Sequence, residues 1–180
     1  NLLIAMVSVF IMALIIDDIS WILLIFPCFV LVCYMSAANM LNDLVDIKSD
    51  SINKPDRVLV KHSTNKYPII FIIGLLFLVG SIFAMHLPDQ AMQIALFFAL
   101  PGIILYELIL KRIPLLGNIL ISLLVGSVFL FIASSLESHI NDALKIMLLA
   151  FSLNLIREIV KDIQDIRGDK ANGLYTLPIF

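Results

Sequence analysis

Residues 67–87 read YPIIFIIGLLFLVGSIFAMHL, a run without a single Asp, Glu, Lys or Arg. Coiled as a helix at about 1.5 Å per residue, it is as long as a hydrocarbon core of about 30 Å is thick. Backbone polar groups in lipid have no water to bond, so the run predicts a helix that crosses the membrane. Working outward, similar apolar runs occupy residues 2–16, 19–40, 91–110, 113–136 and 143–156, and six membrane helices are expected. Between them stand Asp17-Asp18, a polar stretch over 50–66, Pro88-Asp89, Lys111-Arg112 and a polar stretch over 137–142. Pro68 and Pro114 suit helix starts, whereas Pro27 and Pro101-Gly102 fall within runs and predict kinks.

Composition agrees. Of 180 residues, 61% are hydrophobic and 14% charged, and mean hydropathy is +1.06, a balance that would aggregate in water. The expected fold is all-α, a polytopic transmembrane helix bundle forming a single membrane-embedded domain over residues 1–180. The chain opens inside an apolar run and stops soon after a charged motif, so it is expected to be cut from a longer protein at its C-terminus and also at its N-terminus. A net charge of −2 offers no basic patch for nucleic acid. Cys28 and Cys33 share one apolar run and read as small packing residues, not as a disulfide or metal pair.

Parity orders the loops. With every run a span, the segments after the second, fourth and sixth runs share one face of the membrane. Lys48, Lys54, Arg57, Lys61, Lys66, Lys111, Arg112, Arg157, Lys161, Arg167 and Lys170 lie there, and of the 12 basic residues only Lys145 lies opposite. An excess of Lys and Arg marks the cytoplasmic side, so these segments are expected there.

Two acidic motifs sit on that face. The first reads Asn39-Met-Leu-Asn42-Asp43-Leu-Val-Asp46-Ile-Lys48-Ser-Asp50. On one continuous helix at 100° per residue, Asn39, Asp43, Asp46 and Asp50 fall within about 60° of each other. The second contains Glu158, Asp162, Asp165 and Asp169, again on one helical face. Stacked carboxylates near hydrocarbon repel, so cations must neutralise them. Oxygen donors without His or Cys favour Mg²⁺ or Ca²⁺ over zinc, and two opposed triads suit Mg²⁺ ions around a diphosphate. Such an assembly still carries excess negative charge, for which Lys54, Arg57, Lys111, Arg157 and Lys161 are at hand.

At these residues the chain resembles the UbiA superfamily of intramembrane prenyltransferases. Asn42-Asp43-x-x-Asp46-x-x-x-Asp50 matches its first signature, Asp162-x-x-Asp165-x-x-x-Asp169 its second, and Tyr106-x-x-x-Leu110-Lys111-Arg112 its Tyr/Lys signature. Asn53-Lys54-Pro55-Asp56-Arg57 looks like the segment after motif one, with Val58 where many members have proline. Arg157-Glu158-x-x-Lys161-Asp162 followed by Gly173-x-x-Thr176-Leu177-Pro178 is similar to digeranylgeranylglyceryl-phosphate synthases and, less closely, to chlorophyll synthases.

The resemblance implies nine helices around a central cavity, of which about six are present. It also implies Mg²⁺-dependent transfer of a prenyl group from an allylic diphosphate to a lipid acceptor, geranylgeranylglyceryl phosphate, with an aromatic acceptor as the alternative. Asp43, Asp46, Asp50, Asp162, Asp165 and Asp169 would hold the metal. Asn39, Asn42, Lys54, Arg57, Tyr106, Lys111 and Lys161 would contact the diphosphate. Tyr106 is equally readable as a membrane-interface aromatic. Glu158 reads as a metal ligand, as a base for the acceptor hydroxyl, or as a partner of Arg157 or Lys161. Phe71, Phe77, Phe97 and Phe98 read as packing or lipid-facing residues, and His62 as a solvated loop residue. Two other classes compete. A CDP-alcohol phosphotransferase lacks its motif here, and a cation transporter would carry its acidic residues nearer mid-membrane.

Overall fold

A computed structural model of the chain describes residues 2–15, 21–53, 55–61, 65–113 and 115–171. The described residues are helical throughout, joined by short turns. In chain order the helices are α1 (Leu2–Ile15), α2 (Ile25–Val45) preceded by a 3₁₀ turn (Trp21–Leu24), α3 (Ile47–Asn53), α4 (Val58–Lys61) and α5 (Lys66–Ala84). Then come α6 (Asp89–Gln93), a π-helical stretch (Ile94–Ala99) and α7 (Leu100–Leu108), which run on as one rod. After a 3₁₀ turn (Leu110–Arg112), α8 (Leu116–Ser135) and α9 (Ile140–Ala171) complete the bundle.

Four helical stretches among the described residues, Ile22–Val45, Lys66–Ala84, Asp89–Leu108 and Leu116–Ser135, are long and apolar enough to cross a membrane. They coincide with the second to fifth apolar runs. The first run forms α1, whose 14 residues are fewer than the roughly 20 a crossing needs. The sixth is the apolar beginning of α9, a 32-residue helix whose far end carries motif two.

Local chemistry explains the starts and bends. The Asn65 side chain accepts a hydrogen bond from the Tyr67 amide at 3.1 Å and caps α5, with Pro68 in the first turn, where a missing N–H costs nothing. Pro27 lies in the first turn of α2, directly after the 3₁₀ turn, so the change of winding at this proline falls just before it. The break expected at Pro101-Gly102 takes the form of the π stretch just before it. Pro101 gives no N–H to the Phe97 carbonyl and its ring crowds that carbonyl, so the preceding turn widens. Pro114 lies outside the described residues.

α8 is the most buried of the spans, with Ser122, Ile132 and Ala133 wholly enclosed. It packs along α9 and also touches α1, α6, α7 and the π stretch, while α2 packs along α5. The outer faces keep large apolar side chains exposed, Phe71 and Phe97 among them, as a lipid-facing surface requires. Phe77 packs inside instead.

Two glycines permit the approaches that shape the bundle. A Cβ on Gly117 would meet the Leu110 carbonyl oxygen at 2.6 Å, so only glycine allows the tight return from α7 into α8. That return sets Lys111 and Asn118 at one end of the bundle. Likewise a Cβ on Gly126 would meet the Met147 carbonyl at 2.7 Å, where α8 and α9 touch backbone to backbone. At the other end of α9, Lys145 donates to Asp142 at 2.9 Å, and this bond holds the exposed carboxyl below its usual range.

Candidate functional site at the acidic end of the bundle

The two acidic motifs end up as neighbours, because α3, carrying Asp50, packs against α9, carrying Asp162. Cross-helix contacts confirm the parity. Lys111 beyond α7 reaches Asp46 beyond α2, and Asn118 on α8 reaches Asp162 on α9. His86 and His139 stand at the opposite ends of their helices, away from this site.

Motif one is not a single straight stripe. α2 stops at Val45, and Asp46 (φ −87°, ψ 1°) forms the joint to α3. Two backbone bonds bridge the joint, from the Asp46 amide to the Asn42 carbonyl at 2.9 Å and from the Asp50 amide to the Asp46 carbonyl at 2.8 Å. The bend tucks Asp50 inward until it is buried, while Asp43 remains half exposed.

The cations that the stacked carboxylates call for come from the chain. One Nη1 of Arg57 donates to Asp43 Oδ1 at 2.6 Å and to Asp50 Oδ2 at 2.7 Å, so the turn before α4 is strapped across motif one. Lys111 Nζ donates to Asp46 Oδ2 at 2.5 Å and to Glu107 Oε2 at 3.4 Å. Asn42 Nδ2 donates to both Glu107 oxygens, at 3.2 and 3.3 Å. Asn42 and Asp46 on one strand of helix thus face Glu107 and Lys111 on another, each pair one turn apart.

On the motif-two side, Asn118 Nδ2 donates to Asp162 Oδ2 at 2.8 Å. Behind it, the Ser122 hydroxyl donates to the Asn118 carbonyl at 2.6 Å, and Asn154 Nδ2 donates to Ser122 Oγ at 3.3 Å. This buried polar seam between α8 and α9 anchors Asp162 from below. Glu158 is buried, in contact with Arg157 and 3.7 Å from Lys161 Nζ, so the pairing reading of this residue holds.

Between the two motifs opens a cavity of about 580 Å³. Its mouth is polar, with Asn39, Asn42, Asp43, Arg57, Arg157, Glu158 and Lys161 in the wall. Its interior is apolar, formed by residues such as Val30, Leu31, Ile94, Ala99, Leu124, Val128 and Phe131. Tyr106 is 6% exposed and lines this cavity, which decides against a membrane-interface role for it. Phe71, Phe77, Phe97 and Phe98 are absent from the wall.

The structure therefore brings together Asn39, Asn42, Asp43, Arg57, Tyr106 and Lys161 around one cavity; Asp50 joins it through Arg57, Lys111 and Asp46 through Glu107, and Asp162 lies one turn beyond Glu158 of its wall. Lys54, His62 and Gly173 to Pro178 lie outside the described residues, as do the side chains of Asp165 and Asp169. Among the described residues no three His, Cys, Asp or Glu side chains are gathered closely enough to form a metal site by themselves. Sequence reasoning missed Glu107 and Asn118. The signal for Glu107 was present, a carboxylate inside the apolar run 91–110, since an ionisable residue within a span marks a functional position. Asn118, an amide inside the next run, carries a weaker form of the same signal.

The UbiA prenyltransferase family matches residues 1–180. The digeranylgeranylglyceryl phosphate synthase of Methanosarcina mazei is 42% identical over 144 residues, and that of Methanopyrus kandleri 39% identical over 147 residues. These alignments cover 79% and 80% of this chain but 50% and 52% of the relatives, so the chain spans about half the length of the curated relatives it matches. A solved structure described as giving structural and mechanistic insights into the biosynthesis of digeranylgeranylglyceryl phosphate synthase in membranes superposes with a TM-score of 0.78 at 30% identity, covering 97% of this chain and 63% of its own. The apo structure of a UbiA homolog from Aeropyrum pernix K1 superposes with a TM-score of 0.74 at 19% identity, covering 98% and 66%, and shares the fold.

Proposed function

The chain belongs to the UbiA prenyltransferase family, and on that premise we propose that it forms the acidic-motif part of an enzyme that transfers a prenyl group from an allylic diphosphate to geranylgeranylglyceryl phosphate. The observation that carries this reading is the cavity: an apolar interior of a size suited to an isoprenoid chain, closed by a mouth of carboxylates, amides and cations. The relatives at 42% and 39% identity favour a glycerol-phosphate lipid over an aromatic acceptor.

The donor set fits Mg²⁺. The mouth offers carboxylate and amide oxygens without thiolate or imidazole. Asp43 and Asp46 are 48% and 20% exposed, open enough to exchange Arg57 and Lys111 for a metal ion. Asp43, Asp46 and Asp50 would hold it from one side, and Asp162, Asp165 and Asp169 from the other. Bound there, Mg²⁺ would offset the negative charge that grows on the departing diphosphate. Arg57, Lys111 and Lys161 would donate to phosphate oxygens, and Asn39, Asn42 and Lys54 would add further contacts to the diphosphate. Tyr106 lines the cavity, where its ring would stabilise an allylic cation formed beside it. The apolar wall excludes water, which would otherwise compete with the acceptor for the cation. The excess of basic residues in the segments at this end supports a mouth that opens on the cytoplasmic side.

The test is Mg²⁺-dependent transfer by the intact protein in detergent, with labelled geranylgeranyl diphosphate and a panel of geranylgeranylglyceryl phosphate, 4-hydroxybenzoate and a naphthoate. A labelled ether lipid, abolished by EDTA, is the expected product. Transfer to an aromatic acceptor alone would overturn the acceptor assignment, and no donor binding would overturn the reaction class.

A further inference from the structure

The buried carboxylate of Glu107 has no place in either acidic motif, yet it touches Asn42 at the mouth and Lys111, the partner of Asp46. It is 5% exposed, lines the cavity, takes the Asn42 amide at 3.2 and 3.3 Å and lies 3.4 Å from Lys111 Nζ. An ionised carboxylate only accepts hydrogen bonds, so the NH₂ side of the Asn42 amide must face Glu107. The amide oxygen is thereby turned away from Glu107. Asn42 immediately precedes Asp43 and shares the cavity wall with Asn39 and Asp43.

We propose that Glu107 is a positioning residue that fixes the flip of the Asn42 amide, presenting its oxygen as a ligand for the metal–diphosphate, and that keeps Lys111 within reach of the mouth when it leaves Asp46. The inference rests on the function proposed above and adds a residue to it. Without Glu107 the amide has two orientations of similar energy, and only one of them offers oxygen to a hard cation. Burial makes the restraint strong, because a hydrogen bond to a charged group shielded from water is not easily exchanged. Glu107 acts through Asn42 and Lys111 and is not itself a ligand.

The experiment uses E107Q in the intact protein, read by Mn²⁺ binding followed by electron paramagnetic resonance and by the Mg²⁺ dependence of transfer. The replacement is isosteric, but a glutamine side chain both donates and accepts, so either flip of Asn42 becomes satisfied. The expected result is Mn²⁺ binding weakened by about 10-fold, with the Mg²⁺ requirement raised in proportion, as for partners that orient metal ligands in other sites. The double variant N42D/E107Q exchanges the carboxylate and the amide across the same contact, so an oxygen again faces the cavity whichever way the group turns. Its Mn²⁺ affinity is expected to return to within about threefold of wild type, a rescue that a loss of packing would not give. If wild type binds Mn²⁺ and E107Q binds it equally well, the role of Glu107 is overturned while the metal site stands. If E107Q fails to fold, the double variant decides, and weak Mn²⁺ binding by a folded double variant overturns the proposal. If wild type itself binds no Mn²⁺ in the presence of a prenyl diphosphate, the metal reading falls and this inference with it.

Discussion

Replacing Gly126 by Ala tests the contact that holds the second acidic motif in place. The new Cβ would sit 2.7 Å from the Met147 carbonyl oxygen and 3.3 Å from Met147 Cγ. A carbon and a carbonyl oxygen approach to about 3.3 Å at closest in ordinary packing, so α8 and α9 must separate by roughly 0.6 Å. The oxygen belongs to the helix backbone and cannot rotate away, so the strain falls on the packing, at about 1–3 kcal/mol for an overfilled core. One turn away, the Asn154–Ser122 bond is already 3.3 Å long and would be stretched past hydrogen-bond range. One turn further lies Asn118, which holds Asp162.

G126A should therefore lower both melting temperature and activity. Gly74→Ala is the control: nothing lies within 4 Å of a Cβ there, in mid-α5, so removing the glycine's backbone freedom should stabilise by about 0.5–1 kcal/mol. Cys28 and Cys33, partly buried and buried, report unfolding to a thiol-reactive dye in detergent. A loss near 2 kcal/mol corresponds to a fall in Tm of roughly 4–8 °C for a chain of this size. The same change at Gly74 should raise Tm by roughly 1–4 °C. A G126A protein that melts at or above wild type would refute the backbone contact between α8 and α9.

Four further substitutions probe the site and its support. Asn118→Ala removes the donor to Asp162 and should lower turnover by about 10- to 100-fold, measured as initial rates at saturating donor; an unchanged rate would detach Asp162 from the site. Asp46→Asn and Asp165→Asn should each cut turnover by about 100-fold with membrane insertion intact, and wild-type rates in both would defeat the metal assignment. Tyr34→Phe removes the 2.9 Å bond to Ser81, in which Tyr34 donates because the Ser81 hydroxyl already donates to the Phe77 carbonyl. Its cost should be about 0.5–1.5 kcal/mol in the same dye assay, since the pair ties α2 to α5, and an unchanged melting temperature would refute that tie.

The spans were readable because lipid imposes one rule on every residue that faces it: no charge and no unpaired backbone. That rule marks where a run starts and stops, and the second to fifth runs became spanning helices at nearly the positions expected. It does not say how a proline acts inside a run. Pro27 and Pro101 look alike in the sequence, and each falls in the first turn of an α-helix that continues from a differently wound segment, a 3₁₀ turn before Pro27 and a π stretch before Pro101.

The acidic motifs were readable for a related reason, since carboxylates at spacings of three and four beside a membrane need neutralising charge. Repulsion fixes the need for cations but not their identity. It pointed to divalent metal ions, whereas the structure supplies Arg57 and Lys111 to motif one. The two answers are compatible if these side chains act as place-holders. A carboxylate cluster that kept no counter-charge between turnovers would drive its own helices apart, so each cation must be close enough to pair with the cluster and mobile enough to leave it. Lys111 meets both conditions, bonded to Asp46 at the end of a flexible stem and held within reach by Glu107. Spacing along one helix could not reveal this arrangement, because it is made between helices, by a glycine at 117 that brings the end of α7 back against the start of α8.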